Sequence, residues 1–493
     1  MATSTLILPL MNSSPARPCF KLGATHWSGK GKRLKNRKTI DELERIFHPR
    51  GVAIVGASNS DGNLGQFFLR GFIQQGFDRG KLYVVHPSEQ EVCGVKAYPR
   101  AQDIPGDVDL AVVFSPRETV PGVVRDCALK GIQGVVICTS GFGEKDREGR
   151  RLEREFVGIA RKNGTRLIGP NCVGIYCPAS NLVNFAGVLP RESGTVGMFT
   201  QSGSLSVMFP VAAAAQGIHF SKAISFGNEC DLNESDLLEY FGQDPETGII
   251  IAYLEGVVEG PRFYRLAREV SRKKPIMLWK GGTSDVGSRA ASSHTGALSG
   301  SAAVWKAVFQ QTGMIKVDSA EEMLDYLQAF YFLKLPGGNR VAIVTGMGGM
   351  GVAIADACIE YGLEIAELSE DTGKRLTEFV PAVGTCTDNP VDLGMQSTFN
   401  RQVYIDTIEV LGKDDGVDIL LITAGSWMPD YVELVLAAVR ESGKPAVFVT
   451  TPALRTVMEE PLPTRGIAFY PDGRRAAKVL GRMVAYQRFR SGE

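Results

Sequence analysis

Val52-Ala-Ile-Val-Gly-Ala-Ser58 is the stretch that decides the fold, because an apolar, β-branched run leads directly into a glycine turn and then into a helical pattern. The same opening occurs twice more, at Val196-Gly-Met-Phe-Thr-Gln-Ser-Gly203 and at Val341-Ala-Ile-Val-Thr-Gly-Met-Gly-Gly-Met-Gly351. Each opening is typical of the first strand, turn and helix of a βαβ unit. The sequence therefore predicts three α/β modules in one chain.

Further short apolar runs follow each opening and alternate with amphipathic stretches. The predicted strands are Lys81–Val85, Leu110–Phe114, Gly134–Cys138, Gly248–Leu254, Pro275–Trp279, Ile419–Thr423 and Ala446–Thr450. This alternation predicts parallel sheets with helices on both faces. Turn-rich segments at Pro178–Glu192 and Leu335–Asn339 separate the modules. We therefore predict three Rossmann-like or flavodoxin-like modules with parallel sheets, over residues 41–180, 190–335 and 338–490.

The composition excludes several classes of protein. Of 493 residues, 44% are hydrophobic and 22% are charged, and Lys+Arg and Asp+Glu both number 54. This balance argues against a nucleic-acid-binding protein, which needs a sustained positive field. No apolar run reaches the roughly 18 residues of a membrane span. The 9 cysteines are scattered without a CxxC motif, which favours a soluble protein in the reducing cytoplasm with no metal site.

Residues 1–40 differ in composition from the rest of the chain. They contain eight Lys or Arg residues before the first acidic residue, Asp41. A basic, serine-rich segment without acids is typical of an organellar transit peptide, and equally of a disordered extension or of a start site placed too far upstream. The three interpretations stay open, and this segment is left out of the predicted fold.

The first glycine turn raises the question of a nicotinamide dinucleotide site. The glycines of Gly56–Gly65 do not follow the GxGxxG spacing. The second predicted strand leads into His86-Pro87, where such a site has an acid for the ribose hydroxyl. Both departures argue against a nicotinamide oxidoreductase. Backbone N–H groups at a helix start still offer partial positive charge to a phosphate.

Seven motifs follow one another along residues 41–490. They are Phe47-His-Pro-Arg-Gly-Val-Ala-Ile-Val-Gly-Ala-Ser58, Gly141-Phe-Gly-Glu144, Gly169-Pro-Asn-Cys-Val-Gly-Ile175, Thr200-Gln-Ser-Gly-Ser-Leu205, Ser225-Phe-Gly-Asn228, Ser293-His-Thr-Gly-Ala-Leu298 and Asn389-Pro-Val-Asp-Leu393. In this order they resemble the ADP-forming acyl-CoA synthetases, the wider family that includes the succinyl-CoA synthetase α subunit. The third module is similar to the extra flavodoxin-like domain of the acetyl-CoA-type enzymes. The resemblance therefore implies a CoA-binding domain followed by two ligase-CoA domains.

The resemblance also implies a reaction, acyl-CoA + phosphate + ADP ⇌ carboxylate + CoA + ATP, through an acyl phosphate and a phosphohistidine. CoA is then the cofactor of this chain, and acetate is the favoured acid. ADP or ATP and Mg²⁺ are expected on an ATP-grasp β subunit, because the three modules take up the chain and leave no room for a nucleotide domain. The implied assembly is an α2β2 hetero-oligomer acting on a small carboxylic acid or its acyl-CoA ester.

His294 is the implied phosphoryl carrier. Of the 5 histidines, it alone occupies a long polar loop, Gly281–Gly296, and such loops are functional or disordered. Composition alone favours an incidental surface histidine, and the Ser293–Leu298 motif reverses that preference. Family position assigns the carboxylate that orients the imidazole to Glu255, expected at the carboxyl end of a strand. The alternative is a solvated acid at a strand exit.

Two further groups of residues are implied to bind ligands. Ser202, Gly203 and Ser204 would bind the phosphate, a role compatible with helix capping. CoA would lie against strand-end loops of the first module, with Asn171 near its thiol. The implied CoA residues are Gly56, Ala57, Ser58, Ser115, Pro116, Ser140, Gly141 and Asn171. His86 stands directly before Pro87, where the family usually has an asparagine.

Two further sites and one alternative function complete the predictions. Gly346–Gly351 is open to a second phosphate or to close packing of helix and strand, and we favour packing. The acyl pocket is expected where the first two modules meet, and acetate, other short acids and aryl acids all stay open as its substrate. The alternative to an enzyme subunit is a catalytically inactive CoA-binding regulatory protein of the same fold. The histidine motif and Glu255 argue against that alternative.

Overall fold

Three mostly parallel sheets, whose strands alternate with helices, make up the chain, which confirms the predicted α/β class. The computed structural model describes residues 37–183, 188–284, 286–289, 300–398, 400, 402–423, 428–450 and 465–492. His294 with its motif, and nearly all of residues 1–40, lie outside the described residues. Single turns of 3₁₀ helix occur at Arg79–Lys81, Ala101–Asp103, Pro178–Ser180 and Met395–Thr398.

The first sheet has seven strands. They are β1 (Val52–Val55), β2 (Leu82–Val85), β3 (Glu91–Val92), β4 (Val95–Tyr98), β5 (Leu110–Val113), β6 (Gly134–Ile137) and β7 (Arg166–Ile168). Its helices are α1 (Arg37–Phe47), α2 (Leu64–Gln74), α3 (Val120–Lys130) and α4 (Arg147–Asn163). The order is β3-β4-β2-β1-β5-β6-β7, and only the β3–β4 hairpin is antiparallel. Every residue of β1, β5 and β6 is buried, as expected for strands covered on both faces.

The second sheet has six strands. They are β8 (Gly174–Tyr176), β9 (Val196–Thr200), β10 (Phe220–Ser225), β11 (Ile249–Leu254), β12 (Ile276–Lys280) and β13 (Ile315–Val317). Its helices are α5 (Gly203–Ala214), α6 (Glu234–Gln243), α7 (Gly260–Ser271), α8 (Ala302–Thr312) and α9 (Ala320–Phe332). The order is β13-β12-β11-β9-β10-β8. The two strands predicted with bounds in this module agree with β11 and β12 to within one residue at each end, and β9 begins at Val196, where the second opening was predicted to begin.

Strand β8 departs from the predicted organisation, because it lies in the first predicted module but belongs to the second sheet. It pairs antiparallel with β10, so that Ile175 lies opposite Ile224. All three residues of β8 are buried. The pairing covers the edge of β10, which would otherwise expose backbone N–H and C=O groups. The chain thus crosses into the second sheet at Gly174, before the turn-rich segment that was predicted as the boundary.

The third sheet has a flavodoxin-like order. Its strands are β14 (Arg340–Thr345), β15 (Glu364–Ile365), β16 (Val391–Asp392), β17 (Ile419–Thr423), β18 (Ala446–Val449) and β19 (Phe469–Tyr470). Its helices are α10 (Gly348–Glu360), α11 (Glu370–Phe379), α12 (Gln402–Gly412), α13 (Met428–Ser442) and α14 (Gly473–Ser491). The order is β15-β14-β17-β18-β19, with the short β16 beside the end of β14, and every pair is parallel. This corresponds to the 2-1-3-4-5 order of flavodoxin-like folds.

One hydrophobic core continues from the second sheet into the third. It includes Ile251 of β11, Ile343 of β14 and Leu480 of α14, all of them fully buried. Helices α9 and α14 contribute to the same core, so these two modules pack against each other directly. Over the described part of the chain, no helix combines the length and the apolar character that crossing a membrane requires.

Candidate functional site

The start of α5 presents a group of hydroxyls at the end of β9. Thr200 ends that strand, and its Oγ1 accepts a hydrogen bond from the N–H of Ser202 at 3.0 Å. Ser202 caps the helix by accepting from the N–H of Leu205, and its Oγ lies 3.2 Å from the Oγ of Ser204. Ser202 and Gly203 are partly exposed and Ser204 is exposed. The three predicted phosphate-binding residues therefore lie together at the positive end of a helix.

Glu255 lies next to this helix start. It directly follows β11, the neighbour of β9, and Tyr253 pairs with Thr200 in the sheet. The Glu255 residue is only 6% exposed, and the Tyr253 hydroxyl donates to its Oε1 at 3.4 Å. Burial and the nearby Glu255 carboxylate raise the pKa of Tyr253 to about 12, so the hydroxyl keeps its proton. The carboxylate thus lies at the carboxyl end of a strand, where it was predicted.

Gln201 joins the helix start to the strand end and was not among the predicted site residues. Its Oε1 accepts hydrogen bonds from the backbone N–H groups of Glu255 and Gly256, the second at 3.1 Å. Its Nε2 donates to Glu229 Oε1 at 2.9 Å. The residue is 2% exposed. The only sequence signal for this role is its place inside the Thr200–Leu205 motif.

Lys280 binds the backbone at the end of β11, on the side away from Gln201. It is the last residue of β12, and its Nζ donates to the backbone oxygens of Glu255, at 2.7 Å, and of Gly281. Burial lowers the pKa of Lys280 to about 8, against the opposing effect of Glu255. Gly281 donates its N–H to Leu254 O at 2.9 Å, so the segment that leads to His294 leaves the sheet beside Glu255.

The predicted CoA residues meet at the carboxyl edge of the first sheet. Gly56 comes after β1, Ser115 and Pro116 come after β5, and Ser140 and Gly141 come after β6. A Cβ at Gly56 would lie 3.1 Å from Ser115 N. The Oγ1 of Thr139 donates to Ser115 O at 2.7 Å, and the N–H of Asn171 donates to Thr139 O at 3.0 Å. The three strand-end loops and Asn171 are therefore neighbours.

Several N–H groups of these loops already have partners within the protein. Gly56 donates to β2 at 2.9 Å, and Ser58 donates to the side-chain oxygen of Asn63 at 3.3 Å. Gly141 donates to Glu144 Oε1 at 2.5 Å. Gly56 and Gly141 have φ values of 88° and 98°, which favour glycine. In this conformation the two glycines set the path of the backbone rather than offer N–H groups to a ligand.

Glu144 connects these loops to the second module. Its Oε2 accepts hydrogen bonds from the N–H of Phe142 at 3.1 Å and from Asn228 Nδ2 at 2.5 Å. Asn228 also donates its N–H to Pro170 O at 3.0 Å and directly precedes Glu229, the partner of Gln201. A continuous polar network therefore runs from the first sheet to the start of α5. Glu144 and Asn228 are the last residues of two of the seven motifs, but no sequence signal shows that they touch.

Comparison with known proteins supplies the identity of this arrangement. Profiles of three families match the chain: a CoA binding domain over residues 50–178, a succinyl-CoA ligase like flavodoxin domain over residues 193–330, and a ligase-CoA domain over residues 341–432. The chain is 41% identical over 413 residues to the acetate–CoA ligase [ADP-forming] II subunit alpha of Pyrococcus furiosus, covering 82% of this chain and 89% of that protein. The chain belongs to the α-subunit family of ADP-forming acyl-CoA synthetases.

As a member of this family, the chain is a subunit of an acid–CoA ligase (ADP-forming) and contains a CoA-binding domain. A 4-hydroxybutyrate–CoA ligase [ADP-forming] of Nitrosopumilus maritimus is 31% identical over 90% of this chain and 64% of that protein. A solved structure of acetyl-coenzyme A synthetase 1 from Ca. Korarchaeum cryptofilum, in complex with phosphate and ADP, aligns with a TM-score of 0.82 at 33% identity, over 91% of this chain and 97% of that one. Relatives within the family thus differ in the acid for which they are named.

Proposed function

We propose that His294 of this α subunit carries a phosphoryl group between a CoA site on this chain and a nucleotide site on an ATP-grasp β subunit. In the direction of ATP formation, phosphate attacks the acyl carbon of acyl-CoA, the carbon–sulfur bond breaks, and CoA leaves as its thiol. A ring nitrogen of His294 then attacks the phosphorus of the acyl phosphate, and the carboxylate leaves. Transfer of the phosphoryl group to ADP completes the reaction.

One observation carries this proposal: the accessible helix start, the buried Glu255 carboxylate and the first residue of the His294 segment adjoin one another. Hydroxyl and N–H groups at Ser202–Ser204 would stabilise the phosphate by about 0.3–2 kcal/mol. Glu255 would accept a hydrogen bond from one ring nitrogen, so that the other presents its lone pair to phosphorus. His294 is 13 residues beyond Gly281, and a chain spans roughly 3.3 Å per residue when extended, so its reach is ample.

For CoA, we propose that its thiol end lies near Asn171 and that a phosphate lies near the Gly56–Ser58 turn. The meeting of the strand-end loops supports this, because parallel α/β sheets bind nucleotides at this edge. Since Gly56 and Ser58 already use their N–H groups, the phosphate would depend on the Ala57 N–H and the Ser58 hydroxyl. The pantetheine arm would pass Ser115, Pro116, Ser140 and Gly141 on the way to Asn171.

For the partner and the acid, the named relatives supply the support. The Pyrococcus furiosus relative is named as a subunit alpha of an acetate–CoA ligase, and it is more similar to this chain than the 4-hydroxybutyrate enzyme is. We therefore propose acetate as the acid and an α2β2 assembly with a β subunit. ADP or ATP and Mg²⁺ would be held by that β subunit.

The test uses the chain with and without a co-expressed β subunit. With acetyl-CoA and ³²P-phosphate, the complex is expected to form acid-labile, base-stable phosphate on this chain, and His294→Ala is expected to abolish it. His219→Ala is the matched control and should keep the label, because His219 pairs with Glu192 at 3.0 Å and precedes β10, away from the strand ends. The isolated chain should bind CoA without making acetyl-CoA. Label on His294→Ala, or robust synthesis by the isolated chain, would contradict the proposal.

A further inference from the structure

Two glutamates lie on the far side of Gln201 from the strand end, Glu234 fully buried and Glu229 partly buried. Glu229 accepts from Gln201 Nε2, and Glu234 is its neighbour at the first residue of α6. The Oε2 atom of each carboxyl group is buried and has no hydrogen-bond partner among the described residues. In the same part of the chain, no salt bridge joins either group to a lysine, arginine or histidine. Two adjacent, buried carboxylates without a cation cannot both stay ionised at low cost.

The surroundings decide which of the two glutamates holds a proton. Burial and the neighbouring Glu234 raise the pKa of Glu229 to about 10. Glu234 lies at the positive end of α6, and its Oε1 accepts from the Ser235 hydroxyl at 2.9 Å, so its carboxyl group acts as an acceptor there. A proton on Glu229 Oε2 would supply the donor that the buried Oε2 of Glu234 lacks. One proton held between the two carboxyl groups would give both atoms a partner.

The orientation of the Gln201 amide depends on this pair. Because Oε1 of Gln201 receives two backbone N–H groups, its Nε2 must point the other way and needs an acceptor. Glu229 Oε1 is that acceptor. Glu229 has a left-handed backbone, with φ of 51°, which a non-glycine residue adopts only where its surroundings impose it. The side chain is thus held in place beneath Gln201.

We propose that Glu229 and Glu234 share one proton and that neutral Glu229 is a positioning residue. Through Gln201 it holds the Glu255 strand end against the start of α5. Other charged groups face the pair from three sides: Glu255 and Lys280 beyond Gln201, Glu144 and Glu153 beyond Asn228, and Glu259, whose N–H donates to Glu234 Oε1 at 3.5 Å. The catalytic part of this inference rests on the proposed function, and the shared proton does not.

Two substitutions of Glu229 separate positioning from folding. Glu229→Gln is an isostere of the protonated acid, because its oxygen can accept from Gln201 while its amide donates to Glu234. We expect it to keep the rate of His294 phosphorylation in the αβ complex within about twofold. Glu229→Ala leaves Gln201 without its acceptor and should lower that rate by about tenfold or more. The affinity of the isolated chain for CoA should change by less than about threefold in both, since Glu229 lies outside the proposed CoA loops.

Unfolding as a function of pH tests the shared proton without any activity assay. Between the ordinary pKa of 4.5 and the native value of about 10, the unfolded chain loses this proton and the native chain keeps it. Raising the pH therefore favours unfolding of the wild type. From pH 6 to 9, its unfolding equilibrium constant should rise about tenfold per pH unit relative to Glu229→Gln. Lys280 titrates in the upper part of this range with the opposite sign but is present in both proteins, so its effect cancels.

The control is Glu148→Gln, on the exposed surface of α4. The pKa of Glu148 is lowered by Arg151, so it titrates below this range and should not alter the slope. Equal slopes for the wild type and Glu229→Gln would overturn the shared proton. Loss of phosphorylation in Glu229→Gln equal to that in Glu229→Ala, or wild-type rates in Glu229→Ala, would overturn the positioning role. If the wild type forms no phosphohistidine, the proposed function fails and the slopes still decide the proton.

Discussion

The starts of α5 and α10 have the same local structure in different surroundings. Thr200 Oγ1 accepts from Ser202 N–H at 3.0 Å, and Thr345 Oγ1 accepts from Met347 N–H at 3.0 Å. Each strand-end threonine thus closes the turn into its helix. Around α5, Ser202 is partly exposed and Ser204 is exposed, and a buried carboxylate, Glu255, lies beside them.

Around α10, side chains of the protein lie close beside Gly346 and Gly348, although Met347, Gly348 and Gly349 are exposed. A Cβ at Gly346 would lie 2.7 Å from the Tyr404 hydroxyl and 2.8 Å from Ser397 Oγ. A Cβ at Gly348, the first residue of α10, would lie 2.6 Å from Asp392 Oδ2. A carboxylate of the chain therefore already lies at the positive end of this helix, which supports the packing interpretation of Gly346–Gly351. The two helix starts thus share their turn and differ in the side chains that lie beside them.

The largest expected effect comes from substituting the carboxylate that lies beside each helix start. Glu255→Gln should lower His294 phosphorylation by about 100-fold or more, because a neutral amide no longer stabilises the imidazole tautomer and its developing charge. Asp392→Asn, at the start of α10, should leave phosphorylation within about twofold. Both rates would be measured as ³²P incorporation in the αβ complex. Similar losses in the two variants would break the comparison.

A smaller effect is expected from adding one methyl group to the start of α10. Gly346→Ala should destabilise the protein by about 1–3 kcal/mol, because its Cβ meets Tyr404 and Ser397. Phosphorylation per folded molecule should not change. Gly349→Ala is the control, since a Cβ there meets nothing within 4 Å. Denaturant unfolding measures both; if Gly346→Ala is as stable as the control, the space beside Gly346 is not filled.

The smallest effect separates capping from phosphate binding at α5. Ser202→Ala should cost about 1 kcal/mol of stability through the lost cap. It should also lower phosphorylation by roughly two- to fivefold, because one group facing the phosphate is lost. Ser369→Ala removes the equivalent cap of α11, whose Oγ accepts from Thr372 N–H at 3.2 Å, and should cost stability alone. The same fall in phosphorylation for both would reduce Ser202 to a helix cap.

Much of the fold could be predicted from the sequence, because buried parallel strands are short, nearly continuous apolar runs that alternate with amphipathic helical stretches. The β17 run was predicted at both ends, and the predicted strand ends also brought the CoA residues to one edge. The place of β8 in the second sheet could not be predicted, because an apolar triplet such as Gly174–Tyr176 suits either sheet. Its pairing with β10 depends on which edge it meets after the chain turns.

The sequence by itself determined the chain's three modules, its family and the residue types of the site, since these depend on local period and on motif order. Only the tertiary structure decided that Glu255 lies beside the start of α5 and Asp392 beside the start of α10. It alone also showed that Gln201 links Glu229 to Glu255, because these residues are 28 and 54 positions from Gln201 along the chain. Such contacts arise when strands pair and side chains are buried together, and no local pattern records which buried polar group will meet which partner.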